Sequence, residues 1–139
     1  MIFIVLLICL SLNTLADKII IPMDASQKNH LKAYGIAYWV LEQQEEVEWL
    51  LNYKGGSFLM NDYENIEKEC LLRGVSFSIM SESSANSIKN DIANPSVNAE
   101  VVKLLKVPKI AVYSPKTAQP WDDAVTMVLE YARMDYTIE

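Results

Sequence analysis

Apolar and polar positions alternate along this chain in blocks that predict a strand–helix cycle. Residues 18–22 (KIIIP) are a short, wholly apolar run closed by proline, the pattern of a strand buried on both faces. Residues 23–29 are polar and turn-like, and Asp24, Ser26 and Asn29 are candidate helix caps. Leu31, Tyr34, Ala37, Tyr38 and Leu41 then recur at spacings of three and four, which predicts a helix over residues 30–43. Gly35 lowers its propensity but permits close packing on a sheet. Residues 43–46 (QQEE) read as a solvated connection, residues 47–53 (VEWLLNY) as a second buried strand, and residues 54–57 (KGGS) as the turn after it. Residues 57–60 form either a brief third strand or the start of the next loop.

The second half repeats the cycle. Asp62 caps a helix over residues 63–73, with Ile66, Cys70 and Leu71 inward and Gly74 at a left-handed helix end. Residues 75–80 (VSFSIM) set Val75, Phe77 and Ile79 against Ser76 and Ser78, a strand with one drier face. Residues 81–84 are a polar turn and N-cap, and a helix over residues 85–93 ends at Asn94 and Pro95. From 95 to 107 the pattern is poor: Val101, Val102, Leu104 and Leu105 fit one helical turn or an extended surface segment. Residues 109–113 (KIAVY) are a strand and residues 114–119 a loop. Pro120 stands near the first position of a helix, where its missing N–H costs nothing. Asp122 and Asp123 suit the positive end of that helix, which Val125, Val128, Leu129 and Ala132 carry to about residue 134. Tyr136, Thr137 and Ile138 open another strand.

Strands alternating with helices imply βαβ crossovers, so the expected fold is α/β: three-layer and flavodoxin-like, with a mostly parallel sheet. Residues 17–94 are expected to form a first α/β unit and residues 95–108 a connecting segment. Residues 109–139 then start a second unit or continue the same sheet. A strand opening at the very end reads as a fragment truncated at its C-terminus.

Composition narrows the partners. A chain that is 51% apolar and 22% charged can bury a core. A net charge of −6 without any Lys/Arg cluster argues against nucleic acid or an anionic membrane surface. Residues 1–16 stand apart: the apolar run 2–10 (IFIVLLICL) is too short to span a bilayer, and Thr14 and Ala16 supply the small residues of a signal-peptidase site. The segment is therefore read as a signal peptide, with a mature start at Asp17 and a periplasmic or extracellular location, free of the membrane after cleavage. Cys9 lacks the small residues that precede a lipidated cysteine. Without this segment Cys70 is the single cysteine, so no internal disulfide holds the fold. Cys70 is expected to pack as a small hydrophobe, since Glu67, Lys68 and Glu69 give it no electropositive setting.

Few residues carry chemistry. His30 is the only histidine, with no second ligand at metal-binding spacing, so no metal and no cofactor is expected. A histidine at a helix start holds a local hydrogen bond more often than it moves a proton, and Asp24 upstream could orient it. Lys54, Gly55, Gly56 and Ser57 follow a buried strand, where backbone amides can cradle an anion, but they match no phosphate-binding fingerprint. A turn needing positive φ explains them better. Ser114 and Lys116 follow another strand. If both turns share one edge of a parallel sheet, Asp24, Asn52, Ser57, Ser114 and Lys116 border a common crevice. There is no G-x-S-x-G elbow, and Trp39, Trp49 and Trp121 read as packing residues before a sugar-stacking platform. The expected role is a binding or scaffold module for a small molecule, glycan or protein at the cell envelope, without a catalytic residue.

Five runs carry a resemblance: KIIIPMD, NHLKAYGIAYWVLE, VEWLLNYKGGSFL, IEKECLLRGVSF and PKIAVYSPKTAQPWDDAVTMVLEYA. Together they resemble the N-terminal part of a family of exported bacterial proteins labelled asparagine synthetase B. The likeness extends over residues 18–139. It implies a class I glutamine amidotransferase-like α/β fold, a chain continuing past Glu139, and an amidotransferase- or hydrolase-like activity completed there. The label implies glutamine-dependent asparagine synthesis, which requires an N-terminal cysteine nucleophile; here residue 2 is Ile2 and the expected mature start is Asp17. No synthetase residue carries over to a position of this chain.

Overall fold

The computed structural model describes residues 17–113 and 124–139. The expected signal peptide, the loop over residues 114–119 with Ser114 and Lys116, and Pro120, Trp121, Asp122 and Asp123 lie outside the described residues.

The centre of the fold is β1 (Lys18–Ile21), whose three isoleucines are all buried. Successive side chains of a strand point to opposite faces, so Ile19 and Ile21 enter one core and Ile20 another. The first core is covered by α1 (His30–Glu42), through Ala33, Ile36, Ala37 and Val40, and by α2 (Glu64–Arg73), through Ile66 and Cys70. The second is covered by α3 (Glu82–Ile92), through Ala85, Ile88 and Ile92.

Strand pairing departs from expectation. β2 (Val47–Leu51) turns back through residues 52–56 into β3 (Ser57–Asn61), and β3 inserts between β1 and β2. β4 (Ser78–Met80) takes the free side of β1, and β5 (Glu100–Leu104) the free side of β2. The order is β4-β1-β3-β2-β5, with every neighbour antiparallel. The first six elements form a βαββαβ plait with both helices on one face, the split-βαβ arrangement of ferredoxin-like folds.

The expected flavodoxin-like, mostly parallel sheet is therefore wrong, and with it the class I glutamine amidotransferase-like architecture. Two features account for the difference. Residues 57–60, read as a strand or a loop, are the strand that separates β1 from β2. Strand–helix alternation does not by itself make neighbours parallel, and burial on both faces records only that helices cover both faces, which here they do over an antiparallel sheet. The poorly patterned 95–107 stretch contains β5, an edge strand whose one exposed side leaves its alternation weak.

Local signals fared better at helix ends than on helix faces. Asn29 Oδ1 accepts from the Lys32 N–H at 3.1 Å, Ser81 Oγ accepts from the Ser84 N–H at 3.2 Å, and Gly74 closes α2 at φ 69°. Asp62 does not cap α2: Tyr63 holds the cap position, and the Asp62 N–H donates to the Asp17 carbonyl. Leu71 points outward and is 71% exposed, because Ile66, Cys70 and Arg73 define the inner face. Ile79 is 47% exposed on the edge strand β4.

The chain then adds β6 (Ala111–Val112), α4 (Ala124–Ala132) and β7 (Thr137–Ile138), with β6 and β7 paired in parallel. Gly35 of α1 packs against α4, not against the sheet. A Cβ built there would lie 1.8 Å from the Ala132 carbonyl oxygen. The buried Arg73 guanidinium spans the same junction, donating through Nη1 to the carbonyls of Gly35 (3.3 Å) and Ala132 (3.4 Å). Its Nε donates to Glu69 Oε1 at 2.7 Å.

Candidate functional site

On the β2–β3–β5 side of the sheet, α1 borders an open cleft of about 370 Å³. Tyr34, Ala37, Tyr38 and Leu41 form one wall. Trp49, Phe58 and Leu104 form its floor, and Lys106, Pro108 and Met134 close its rim. The volume falls within the range of small-molecule sites, and the position between the plait and the β6–α4–β7 unit is a common one for them. The rings are organised against each other. Tyr34 meets Phe58 edge-on with centroids 5.5 Å apart, and Trp49 stacks on Phe58 at 6.1 Å. The indole of Trp49 is fixed by donation from Nε1 to the Gly56 carbonyl at 3.0 Å. Tyr38 turns its hydroxyl away to donate to the Asp135 carbonyl at 3.4 Å. Burial, with the negative charges of Glu42 and Asp135, raises the Tyr38 pKa and keeps the phenol a neutral donor.

The residues singled out from sequence are distributed differently. β1 and β2 both run antiparallel to β3, so their carboxyl ends share an edge, and the loop after β1 meets the turn after β2. There the Met23 N–H donates to the Lys54 carbonyl at 3.0 Å. Gly55, at φ 79°, passes so close that a Cβ would lie 2.3 Å from the Met23 carbonyl oxygen. Asp24, His30 and Gly55 are thus brought together. His30 Nε2 lies 3.1 Å from the Asp24 carbonyl, not its carboxylate. The Asp24 carboxylate accepts from the Ser26 hydroxyl and N–H, which lowers its pKa, with Lys54 adding to the effect. This is a self-contained turn on the surface.

The remaining turn residues are structural. Gly56 and Ser57 both direct their N–H groups to the Tyr53 carbonyl at 3.0 Å, so neither amide is left for a phosphate. Ser57 is fully buried, and its hydroxyl donates to Tyr53 and Lys54 carbonyls. Asn52 donates to the Asn98 carbonyl at 2.9 Å, tying the turn to the approach of β5. Of the residues expected to border a common crevice, Asp24, Asn52 and Ser57 take the positions given above, and Ser114 and Lys116 lie outside the described residues.

Cys70 lies in the first core, and burial pushes its thiol up to about 12, with Arg73 opposing the shift and Glu69 and Glu67 adding to it. It is a protonated hydrophobe at neutral pH. A thiol-specific disulfide reagent at pH 8 should leave Cys70 of the folded protein untouched and titrate it fully in denaturant; rapid native labelling would contradict this burial. Because the folded pKa exceeds the unfolded one, this group stabilises the fold at neutral pH. The contribution is lost as pH rises from the ordinary thiol value of 9.0 toward about 12.

Among the described residues no group of three or more His, Cys, Asp or Glu side chains is placed to hold a metal, and no helix is long and apolar enough to cross a membrane. The cleft escaped the sequence reading for a simple reason. The stripe Tyr34, Ala37, Tyr38, Leu41 has the spacing of a core face, and spacing does not say whether a face is covered. Trp49 beside a glycine turn was the one signal that pointed there. No protein-family model matches this chain, and neither does any curated protein or solved structure.

Proposed function

We propose that this chain is a binding module whose ligand, a small molecule with an apolar or aromatic body, seats in the cleft between α1 and the sheet. The observation that carries this reading is the cleft itself: four aromatic side chains, two of them stacked, around about 370 Å³ of apolar space. Two of its lining polar groups, the Tyr38 hydroxyl and the Trp49 N–H, are committed to backbone carbonyls, so these two residues offer packing and shape. The cell envelope is the proposed place of action, on the strength of the apolar leader and the small residues before Asp17.

Trp49 makes the reading testable. Saturable changes in its fluorescence are expected with small aromatic amides such as 4-phenylbutanamide. They should weaken about fivefold or more in Tyr34→Ala, which removes the half-exposed ring of one wall, while the circular dichroism spectrum is unchanged. Binding that ignores Tyr34→Ala would place the ligand elsewhere and sink the proposal. Export is checked separately by the intact mass of the native protein, which should begin at Asp17.

A second reading, an amidotransferase- or hydrolase-like enzyme completed by residues downstream of Glu139, draws on one observation. The β6–α4–β7 segment is a parallel strand–helix–strand unit, the building block of α/β enzyme sheets. Asparagine synthesis rests on the resemblance alone, and the chain is expected to show no turnover with glutamine, aspartate and ATP.

A further inference from the structure

We propose that the ligand of the cleft carries a single anionic head group, such as a carboxylate, paired with Lys106 while its apolar body lies among the aromatic rings. The inference rests on the cleft being a ligand site and adds what that ligand must be.

The argument is one of charge balance. Lys106 is, among the described residues, the only charged side chain lining the cleft. Among the described residues it takes part in no ion pair. The lysines on the other face of the sheet are matched instead: Lys18 with Glu82, Lys89 with Glu48 and Lys103 with Glu46. Lys28, Lys54, Lys68 and Lys109 also take part in no ion pair among the described residues, but Lys106 is the one of these that lines the apolar cleft. A charge next to low-dielectric walls acts more strongly than one surrounded by water, so the rim favours an anion.

The rest of the cleft fixes which way the ligand lies. Glu42 and Asp135 act on the Tyr38 hydroxyl, and that hydroxyl is already donating to the Asp135 carbonyl. Negative charge beside Tyr38 repels an anionic head, which leaves Lys106 as the lining position where one is stabilised. A cationic ligand would meet Lys106 itself. A neutral ligand would gain the aromatic contacts and nothing at the rim.

The test compares three ligands of one shape, 4-phenylbutyrate, 4-phenylbutanamide and 4-phenylbutylamine, by titration of Trp49 fluorescence at low salt. The butyrate should bind about fivefold more tightly than the amide, as a partly exposed ion pair allows, and the amine most weakly. In Lys106→Gln the butyrate should fall to the affinity of the amide, and salt should narrow the gap in the native protein. Equal binding of butyrate and amide, or a preference that survives Lys106→Gln, overturns this inference and leaves the cleft a site for neutral ligands. Should none of the three bind, the inference and the reading beneath it fall together.

Discussion

Ile20→Ala is expected to destabilise the protein by about 2–5 kcal/mol, as much as Ile19→Ala, although the two side chains point in opposite directions. In a sheet covered on one face only, neighbouring strand residues differ sharply in cost, because one of them faces water. Here Ile19 is fully buried under α1 and α2, while Ile20, 3% exposed, packs with Leu50, Leu59, Ala85 and Ile92 beneath α3. Each truncation removes apolar surface and leaves a cavity that the surrounding sheet cannot close, which is why the cost exceeds the transfer term alone. Urea denaturation of the two variants measures both. A loss below about 1 kcal/mol for Ile20→Ala would mean that α3 does not cover the sheet.

Gly35→Ala should have the second largest effect, and a more local one. The added methyl would meet the Ala132 carbonyl oxygen at 1.8 Å, so α1 and α4 must separate. Overpacking of this kind costs about 1–3 kcal/mol. Separation also pulls Ala132 away from Arg73, which bridges the two helices through their carbonyls. The other contacts of α4 with the plait include polar ones at its surface, Asn29 to the Tyr131 hydroxyl at 2.6 Å and Lys32 over the Tyr131 ring, while Val125, Met127, Val128 and Tyr131 are all more than 40% exposed. Amide hydrogen exchange should therefore show α4 losing protection while β1, β2 and β3 keep theirs. Arg73→Met should give the same signature by removing the bridge without the clash. Unchanged protection in α4 for both variants would contradict the junction described here.

These two junctions also show what could be read from the chain alone. The three isoleucines of β1 announced a strand buried on both faces, and that is what they form. Asn29, Gly74 and Ser81 announced helix ends through backbone chemistry that is local and needs no partner. Pairing is not local. Nothing in Ser57–Asn61 says that it will lie between β1 and β2, and that single insertion turns a parallel reading into an antiparallel plait. Gly35 signalled close approach, but sequence spacing could not say to what. The cleft followed the same logic: its aromatic wall was visible as a stripe, while its openness depends on where β5 and residues 106–108 come to rest. Lys106 carried no local signal, since an isolated lysine means something only once its neighbours are known.

The position of β1 has a consequence for the order in which the fold can appear. It is the first strand among the described residues, yet its partners are later ones: Lys18 pairs with Asn61 on one side and with Met80 on the other. A nascent chain that has emerged only as far as β2 holds three exposed isoleucines and no strand beside them. Sheet formation must wait for residues 57–61, and the far edge for residues 78–80. Contacts this distant in sequence slow folding, because loop closure must precede the contacts that reward it. β1 and β2 therefore both wait for β3, and the interval before it arrives is when this chain is most exposed to aggregation.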